Sequence, residues 1–276
     1  EQAQLQAERN RTYYAKNREL HRSVVLRLTE QIRNCILVHQ QPNARVARSG
    51  NLDPERVWRA PLLNDSRVFR CAEEENQPSF TVDLLLDASA SRLHCQEVIA
   101  AQGSILAQSL AACGIPVRVS SFCSLRGYTV LRVLKGFADK NLQSINQYFA
   151  SGWNRDGLAL RAAGDLLSFD PGPAPRHLLI LLTDASPNDS RRVPPSADQP
   201  LGCDYGGSYG VDDAAAEVRQ LRRKGLRVSA VFMGEDSSIH DAERIYGKNL
   251  ARIRGMDQLA RAAGRLIQNE IRELGD

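Results

Sequence analysis

The sequence predicts an α/β fold: a doubly wound, mostly parallel six-stranded sheet with one antiparallel edge hairpin, Rossmann-like in plan and preceded by an N-terminal helical arm. Three observations carry this reading. From Phe80 onward, apolar runs of strand length alternate with longer amphipathic stretches of helix length, as in parallel strands joined by crossover helices. Two of the strand-like runs are separated only by Cys123 to Gly127, too short for a crossover and so a hairpin. Before Phe80 the chain reads as helix and connector. The expected organisation is therefore an extension over residues 1–77 and an α/β domain over residues 78–276.

Residues 1–39 are charged and then amphipathic. Leu20, Val24, Leu28, Ile32 and Cys35 recur at three or four residues, which predicts one long helix with a frayed start. Gln41-Pro42-Asn43 ends it, and Ser49-Gly50-Asn51-Leu52-Asp53-Pro54 is a turn leading into a short helix over 55–59. Residues 64–78 are connector with one short strand over 67–70. Strands are expected at 80–86, 115–122, 128–135, 177–183, 226–232 and 250–253, and helices at 92–112, 141–149, 157–168, 212–224, 238–245 and 256–273. Residues 185–211 hold four prolines and four glycines and show no helical or strand period. A loop this long inside a compact domain is usually functional or disordered, and its start at an acidic turn favours function.

Composition narrows the classes. The 276 residues are 42% hydrophobic and 25% charged, which argues against wholesale disorder. No apolar run approaches the roughly 20 residues that span a bilayer, so no membrane partner is expected. The formal net charge of +4 is too small for a nucleic-acid reading, although Arg191-Arg192 and residues 219–224 make local basic patches. Cys35, Cys71, Cys95, Cys113, Cys123 and Cys203 form no CxxC pair and read as reduced thiols of a cytoplasmic protein. The polar opening at Glu1 predicts no signal peptide.

Chemistry concentrates in two acidic turns. Asp87-Ala88-Ser89-Ala90-Ser91 follows the apolar run 82–86, and Thr183-Asp184-Ala185-Ser186-Pro187-Asn188-Asp189 follows 177–182. Carboxyl ends of neighbouring parallel strands converge on one crevice, and carboxylates with hydroxyls are the hard oxygen ligands that Mg²⁺ or Mn²⁺ selects. Each turn also has an ordinary reading. Ser89 or Ser91 caps a helix whose positive end favours Asp87, and the second turn is a strand exit rich in turn-formers. A third segment, Gly152-Trp153-Asn154-Arg155-Asp156-Gly157, opens a helix, where Asn and Asp are common caps.

Together the three segments resemble the metal-ion-dependent adhesion site (MIDAS) of von Willebrand factor A (VWA) domains. That site is built from Asp-x-Ser-x-Ser after the first strand, a Gly-x-Thr-x-Thr-Gly-like loop before a middle helix, and Thr-Asp-Gly after the fourth strand. Its positions are filled here by Asp87, Ser89 and Ser91, then Asn154 with Asp156, then Asp184. Further stretches, Ser49 to Asp53, Asn154 to Gly157, Thr183 to Asp189, Tyr209 to Asp213 and Ile245-Tyr246-Gly247, look like the subgroup containing nitric-oxide-reductase activation proteins and the accessory cobaltochelatase subunit. The resemblance covers the chain from about Arg22 onward.

What the resemblance implies is a Mg²⁺ or Mn²⁺ cofactor held directly by Ser89, Ser91 and Asn154, with Asp87 and Asp184 binding directly or through water. It also implies a non-catalytic cytoplasmic partner of a MoxR-type AAA+ ATPase that acts on a client metalloenzyme. Two positions depart from the family pattern: Asn154 replaces a threonine, with Asp156 as a compensating carboxylate, and Ala185 replaces the glycine after Asp184. The alternatives are a metal chelatase accessory subunit, a metal-dependent phosphoesterase and, third, extracellular adhesion. An enzyme ranks behind a binding module. There is no Walker-type phosphate loop, no GxGxxG and no GxSxG, and His94 and His177 read as surface or packing residues.

Overall fold

The computed structural model describes residues 1–39, 43–73, 80–195 and 200–275. The N-terminal arm is two helices, α1 (Gln2–Lys16) and α2 (Arg18–His39), where one was expected. Asn17 separates them at φ −102° and ψ 22°, and its side-chain amide donates to the Tyr13 carbonyl at 3.0 Å. The expected fraying does not occur, because α1 is tied down by buried polar groups. Asn10 Nδ2 donates to the carbonyls of Asn146 and Tyr148 at 2.8 and 2.9 Å, and Gln6 Nε2 donates to Glu97 Oε1 at 2.9 Å.

The next segment forms a small antiparallel sheet in the order β1-β3-β2, from β1 (Asn43–Ala47), β2 (Asn51–Leu52) and β3 (Phe69–Glu73), with α3 (Arg59–Leu63) between β2 and β3. The short helix thus starts where it was expected to end. Asp53 is the reason: its Oδ1 accepts from Glu55 N at 3.1 Å, and its carbonyl accepts from the N–H groups of Arg56 and Val57, so residues 54–58 are spent on a turn. The strand expected over 67–70 lies at 69–73. The expected domain boundary between residues 77 and 78 lies outside the described residues.

The main sheet contains β4 (Phe80–Asp87), β5 (Val117–Leu125), β6 (Tyr128–Lys135), β7 (Arg176–Thr183), β10 (Arg227–Phe232) and β11 (Leu250–Arg252). Its order is β11-β10-β7-β4-β5-β6, with every pair parallel except the β5–β6 hairpin, as the short Cys123 to Gly127 link requires. Central β4 is buried along its whole length. Val82, Leu84 and Leu86 of β4 join one core with Val24, Leu28 and Ile32 of α2, Ile99 and Ile105 of α4 (Gln96–Ala112), and Leu259 and Ile267 of α8 (Met256–Gly275). Leu85 faces the other core, with Leu160 of α5 (Asp156–Phe169), Val211 and Val218 of α6 (Gly207–Arg223), and Ile245 of α7 (Ile239–Tyr246). The two-residue period of a strand thus feeds a helical layer on each face, and the arm helix α2 belongs to one of those layers.

Three elements differ from expectation. The helix expected from residue 92 begins as a 3₁₀ turn, Ala90–Cys95, and becomes α-helical only at Gln96. The segment 141–149 is a 3₁₀ turn, Leu142–Gln147. Residues 185–211 contain an antiparallel ribbon, β8 (Asp189–Val193) with β9 (Cys203–Tyr205), and α6 then starts at Gly207. Gly207 and Gly210 lower helix propensity in that first turn and hid its start from a pattern reading.

Because Ile32 is fully buried in the core shared with β4 and α8, Ile32→Ala is expected to cost about 2–5 kcal/mol. Urea denaturation followed by circular dichroism should show one transition shifted as a whole. A separate early transition confined to the mutant would mean that the arm folds apart from the sheet.

Candidate metal centre

Strands β4 and β7 are adjacent and parallel, with Leu86 opposite Leu182, so the residues that follow them emerge side by side at the carboxyl edge. Asp87 and Asp184 are thereby brought together. Thr183 Oγ1 donates to Asp87 Oδ2 at 3.3 Å, and Asp87 Oδ1 accepts from Ser89 N at 2.9 Å. The Ser89 and Ser91 hydroxyls lie 2.8 Å apart, and Ser91 Oγ donates to Asp184 Oδ2 at 2.8 Å. Asp184 Oδ1 accepts from Ser186 N at 3.2 Å. The first and third predicted segments therefore form one hydrogen-bonded unit.

The middle segment is laced to both. Ser151 N donates to the Ala88 carbonyl at 2.7 Å, and Ala90 N donates to the Gly152 carbonyl at 2.8 Å. Asn154 and Asn188 exchange backbone hydrogen bonds at 2.9 Å each. The Asn154 amide oxygen accepts from Asn188 N at 3.2 Å, and its Nδ2 donates to Asp156 Oδ1 at 3.2 Å. Asn154 thus braces the β7 exit loop against α5 and turns its NH₂ toward the acids. Its oxygen has one lone pair left beyond the bond from Asn188.

The capping reading does not describe these residues. Ser89 stands at the N-cap of the 3₁₀ turn without a side-chain capping bond, and α5 begins after Arg155, again without one. The hydroxyls bond within the cluster instead. Ala185 adopts φ 53°, the left-handed conformation for which glycine is preferred, so the turn after Asp184 is kept at the cost of local strain.

Three carboxylates share this edge. Asp87 and Asp156 are fully buried, and Asp184 is nearly so. Burial, and then the neighbouring Asp184 charge, push the Asp87 carboxyl up to about 7. Burial, followed by the charges of Asp87 and Asp184, raises Asp156 well above the usual carboxylate range. Asp156 Oδ2 is buried without a hydrogen-bond partner. Such a group is costly unless a cation or a proton compensates it.

Among the described residues, no three carboxylate, imidazole or thiol side chains converge as a metal-binding group. A cation here would therefore draw on hydroxyls and water as well as carboxylates, which suits a hard ion such as Mg²⁺. The donor chemistry at hand is that of a hard cation: the Ser89 and Ser91 hydroxyls with the Asp87 and Asp184 carboxylates, Ser91 being exposed to solvent, and the orphaned Asp156 oxygen standing apart from a three-acid group.

Several contributors were not read from the sequence. Tyr148 Oη donates to the Asp87 carbonyl at 2.5 Å, and Arg92 donates to Asp184. Arg155 holds the ribbon: Nε donates to Asp189 Oδ2 at 2.5 Å, Nη2 donates to the Arg191 carbonyl at 2.6 Å, and the guanidinium sits 4.6 Å from the Tyr205 ring centre. Tyr205 Oη in turn donates to Asp213 Oδ2 at 2.8 Å. A Cβ at residue 157 would fall 2.1 Å from that same Asp213 oxygen, so Gly157 leaves room for the Asp213 carboxylate against α5. One signal could have pointed to Arg92. A cation in the first turn of a helical segment opposes the macrodipole and implies an acidic partner. His94 is exposed, and His177 pairs with Thr81 Oγ1 at 2.8 Å near the start of β4, at the opposite end of the sheet.

No family model matches the sequence. Over 141 residues the chain is 28% identical to Protein NorD of Brucella suis, a stretch covering 49% of this chain and 20% of that protein. Over 127 residues it is 32% identical to Protein NorD of Stutzerimonas stutzeri, covering 44% of this chain and 18% of that protein. The match thus spans about a fifth of the length of these curated relatives. Among solved structures, manganese-loaded TRAP of Plasmodium vivax superposes with a TM-score of 0.50 at 17% identity, over 70% of this chain and 74% of that one. That likeness is one of fold.

The raised Asp87 carboxyl sets a pH dependence. The folded protein keeps a proton that the unfolded chain releases above about pH 4, so stability falls as pH rises from about 4 to about 7. Denaturation in EDTA across this window should show wild type losing on the order of a few kcal/mol relative to Asp87→Asn, which carries no charge to bury. Parallel pH profiles for the two proteins would rule out Asp87 as the titrating group.

Proposed function

We propose that this chain, whose fold is that of a von Willebrand factor A domain, is a metal-dependent protein-binding module that serves a MoxR-type AAA+ ATPase in activating or assembling a metalloenzyme. The observation that carries the reading is the buried carboxylate cluster with its unpartnered Asp156 oxygen, placed beside two serine hydroxyls at the carboxyl edge of the sheet. Mg²⁺ or Mn²⁺ would be held by Ser89, Ser91, Asp87 and Asp184, with Asn154 and Asp156 completing the set. When bound, the ion supplies a coordination position open to a carboxylate from a partner.

The chain's own residues do the rest. Ser89 and Ser91 would bind the ion through neutral oxygens, adding no negative charge to that of the carboxylates. Thr183 and Ser89 N orient Asp87, and Asn154 orients Asp156. The β8–β9 ribbon stands beside the site, anchored by Arg155 and Tyr205, and presents Arg191 and Arg192 to solvent. Arg192 is paired with Asp204 across the ribbon at 3.1 Å, so Arg191 is the cation that would meet an acidic partner. The partial likeness to Protein NorD supports an accessory role. The reading leaves out catalysis, because the cluster contains no histidine and its serine hydroxyls are engaged with each other and with Asp184.

Calorimetry should show Mn²⁺ binding to the wild type and none to Asp87→Ala; equal binding by both would remove the site. Capture of a MoxR-type AAA+ ATPase should need Mg²⁺, fail in EDTA, and fail for the double variant Ser89→Ala, Ser91→Ala. That variant should stay folded, since each lost hydroxyl bond is worth only about 1 kcal/mol. Capture indifferent to all of these would shift docking to another surface. Arg155→Ala, which frees the ribbon from α5, is expected to weaken capture while leaving Mn²⁺ affinity within about threefold, because the Arg155 side chain bonds to Asp189 and the Arg191 carbonyl and to none of the proposed ligands.

A further inference from the structure

Arg92 follows the Asp-x-Ser-x-Ser motif directly, and the metal reading gives it no part. Its side chain is only 8% exposed. Nη2 donates to Asp184 Oδ2, the same oxygen that accepts from Ser91 Oγ. Nε donates to Ser91 Oγ at 3.3 Å, and Nη1 reaches the Met233 carbonyl at 3.4 Å. One guanidinium therefore engages two oxygens of the proposed ligand set. The acids hold it there.

A lone pair that accepts from Arg92 is not free to bind a metal, and a guanidinium beside a divalent ion is repelled by it. The side chain has somewhere to go. Next to it lies a cavity of about 380 Å³ lined by Arg92 itself and by Met233, Glu235 and Asp236; Asp236 is already paired with Arg252 and Arg254, which line the same cavity, so Glu235 is the carboxylate within it that faces a displaced guanidinium. We infer that Arg92 is a resident counter-cation of the site: on Asp184 it lowers affinity for Mg²⁺ or Mn²⁺, and cation binding turns it off Asp184 into this cavity, toward Glu235. The inference rests on the metal reading given above. Its consequence is that the ion binds weakly until a partner carboxylate helps to hold it, so metal and partner load together.

The test is Mn²⁺ titration of the full chain, followed by calorimetry and by the loss of the free-ion electron paramagnetic resonance signal. The proteins are wild type, Arg92→Gln, Arg92→Lys and Asp87→Ala. Arg92→Gln is expected to bind about tenfold or more tightly than wild type, the scale of removing one close charge from a partly buried site. Arg92→Lys, which keeps the charge and loses the fork of donors, should fall between them. The Mn²⁺-induced rise in melting temperature should follow the same order. If Arg92→Gln binds no more tightly than wild type while Asp87→Ala abolishes binding, Arg92 is not a competitor and the metal reading stands. If neither wild type nor Arg92→Gln binds Mn²⁺, both readings fall. Should Arg92→Gln fail to fold by circular dichroism, Arg92→Lys decides: affinity at or below wild type overturns the inference.

Discussion

Burying carboxylates at the carboxyl edge of a parallel sheet is the constraint around which this molecule is organised. Asp87 and Asp156 are removed from water and Asp184 almost so, at a point where two strands end side by side. Each negative charge placed there raises the cost of the others, which is why burial and mutual repulsion both push the Asp87 and Asp156 carboxyls upward. Backbone N–H groups from Ser89 and Ser186, hydroxyls from Thr183 and Ser91, and the Arg92 guanidinium offset part of that cost. Asp156 Oδ2 remains without a partner.

The scaffold around the acids extends far from them. Tyr148 donates to the Asp87 carbonyl, and the Tyr148 carbonyl accepts from Asn10 of α1. Gln96, at the start of α4, accepts from Ala150 N. The arm helices thus brace the loop that carries Asn154 and Asp156, and the arm is part of the site's support as well as of the core. On the other face, Gly157 lets Asp213 and Tyr205 close over the start of α5, which fixes the ribbon beside the cluster. Rigid support of this kind is what a ligand set needs if its geometry is to precede the ligand.

Much of this was legible in the residues. The alternation of apolar runs determined the six strands and the helical layers, and the short link after Cys123 determined the hairpin, because chain length alone forbids a crossover there. The stripe from Val24 to Cys35 marked a buried helix face, though not the helix's true limits. Asp87, Ser89, Ser91 and Asp184 were visible as oxygen-bearing turns at the ends of strands, where the topology brings such turns together, and Asp156 as an acid opening a helix.

What the sequence could not determine are the matters decided by contacts between distant segments. The order of α1 depends on Asn10 and Gln6 finding partners more than 90 positions away. The ribbon in residues 185–211 has weak local propensity and exists because Arg155 and Asp213 hold its ends. The role of Asn154 as a brace follows from where Asn188 lies, and the place of Arg92 on Asp184 follows from the pairing of β4 with β7. Periodicity reports which face of an element is apolar, and so it determines the fold. Which polar atoms meet at the carboxyl edge is set only when the strands pair, because that is when their charges come within range of one another.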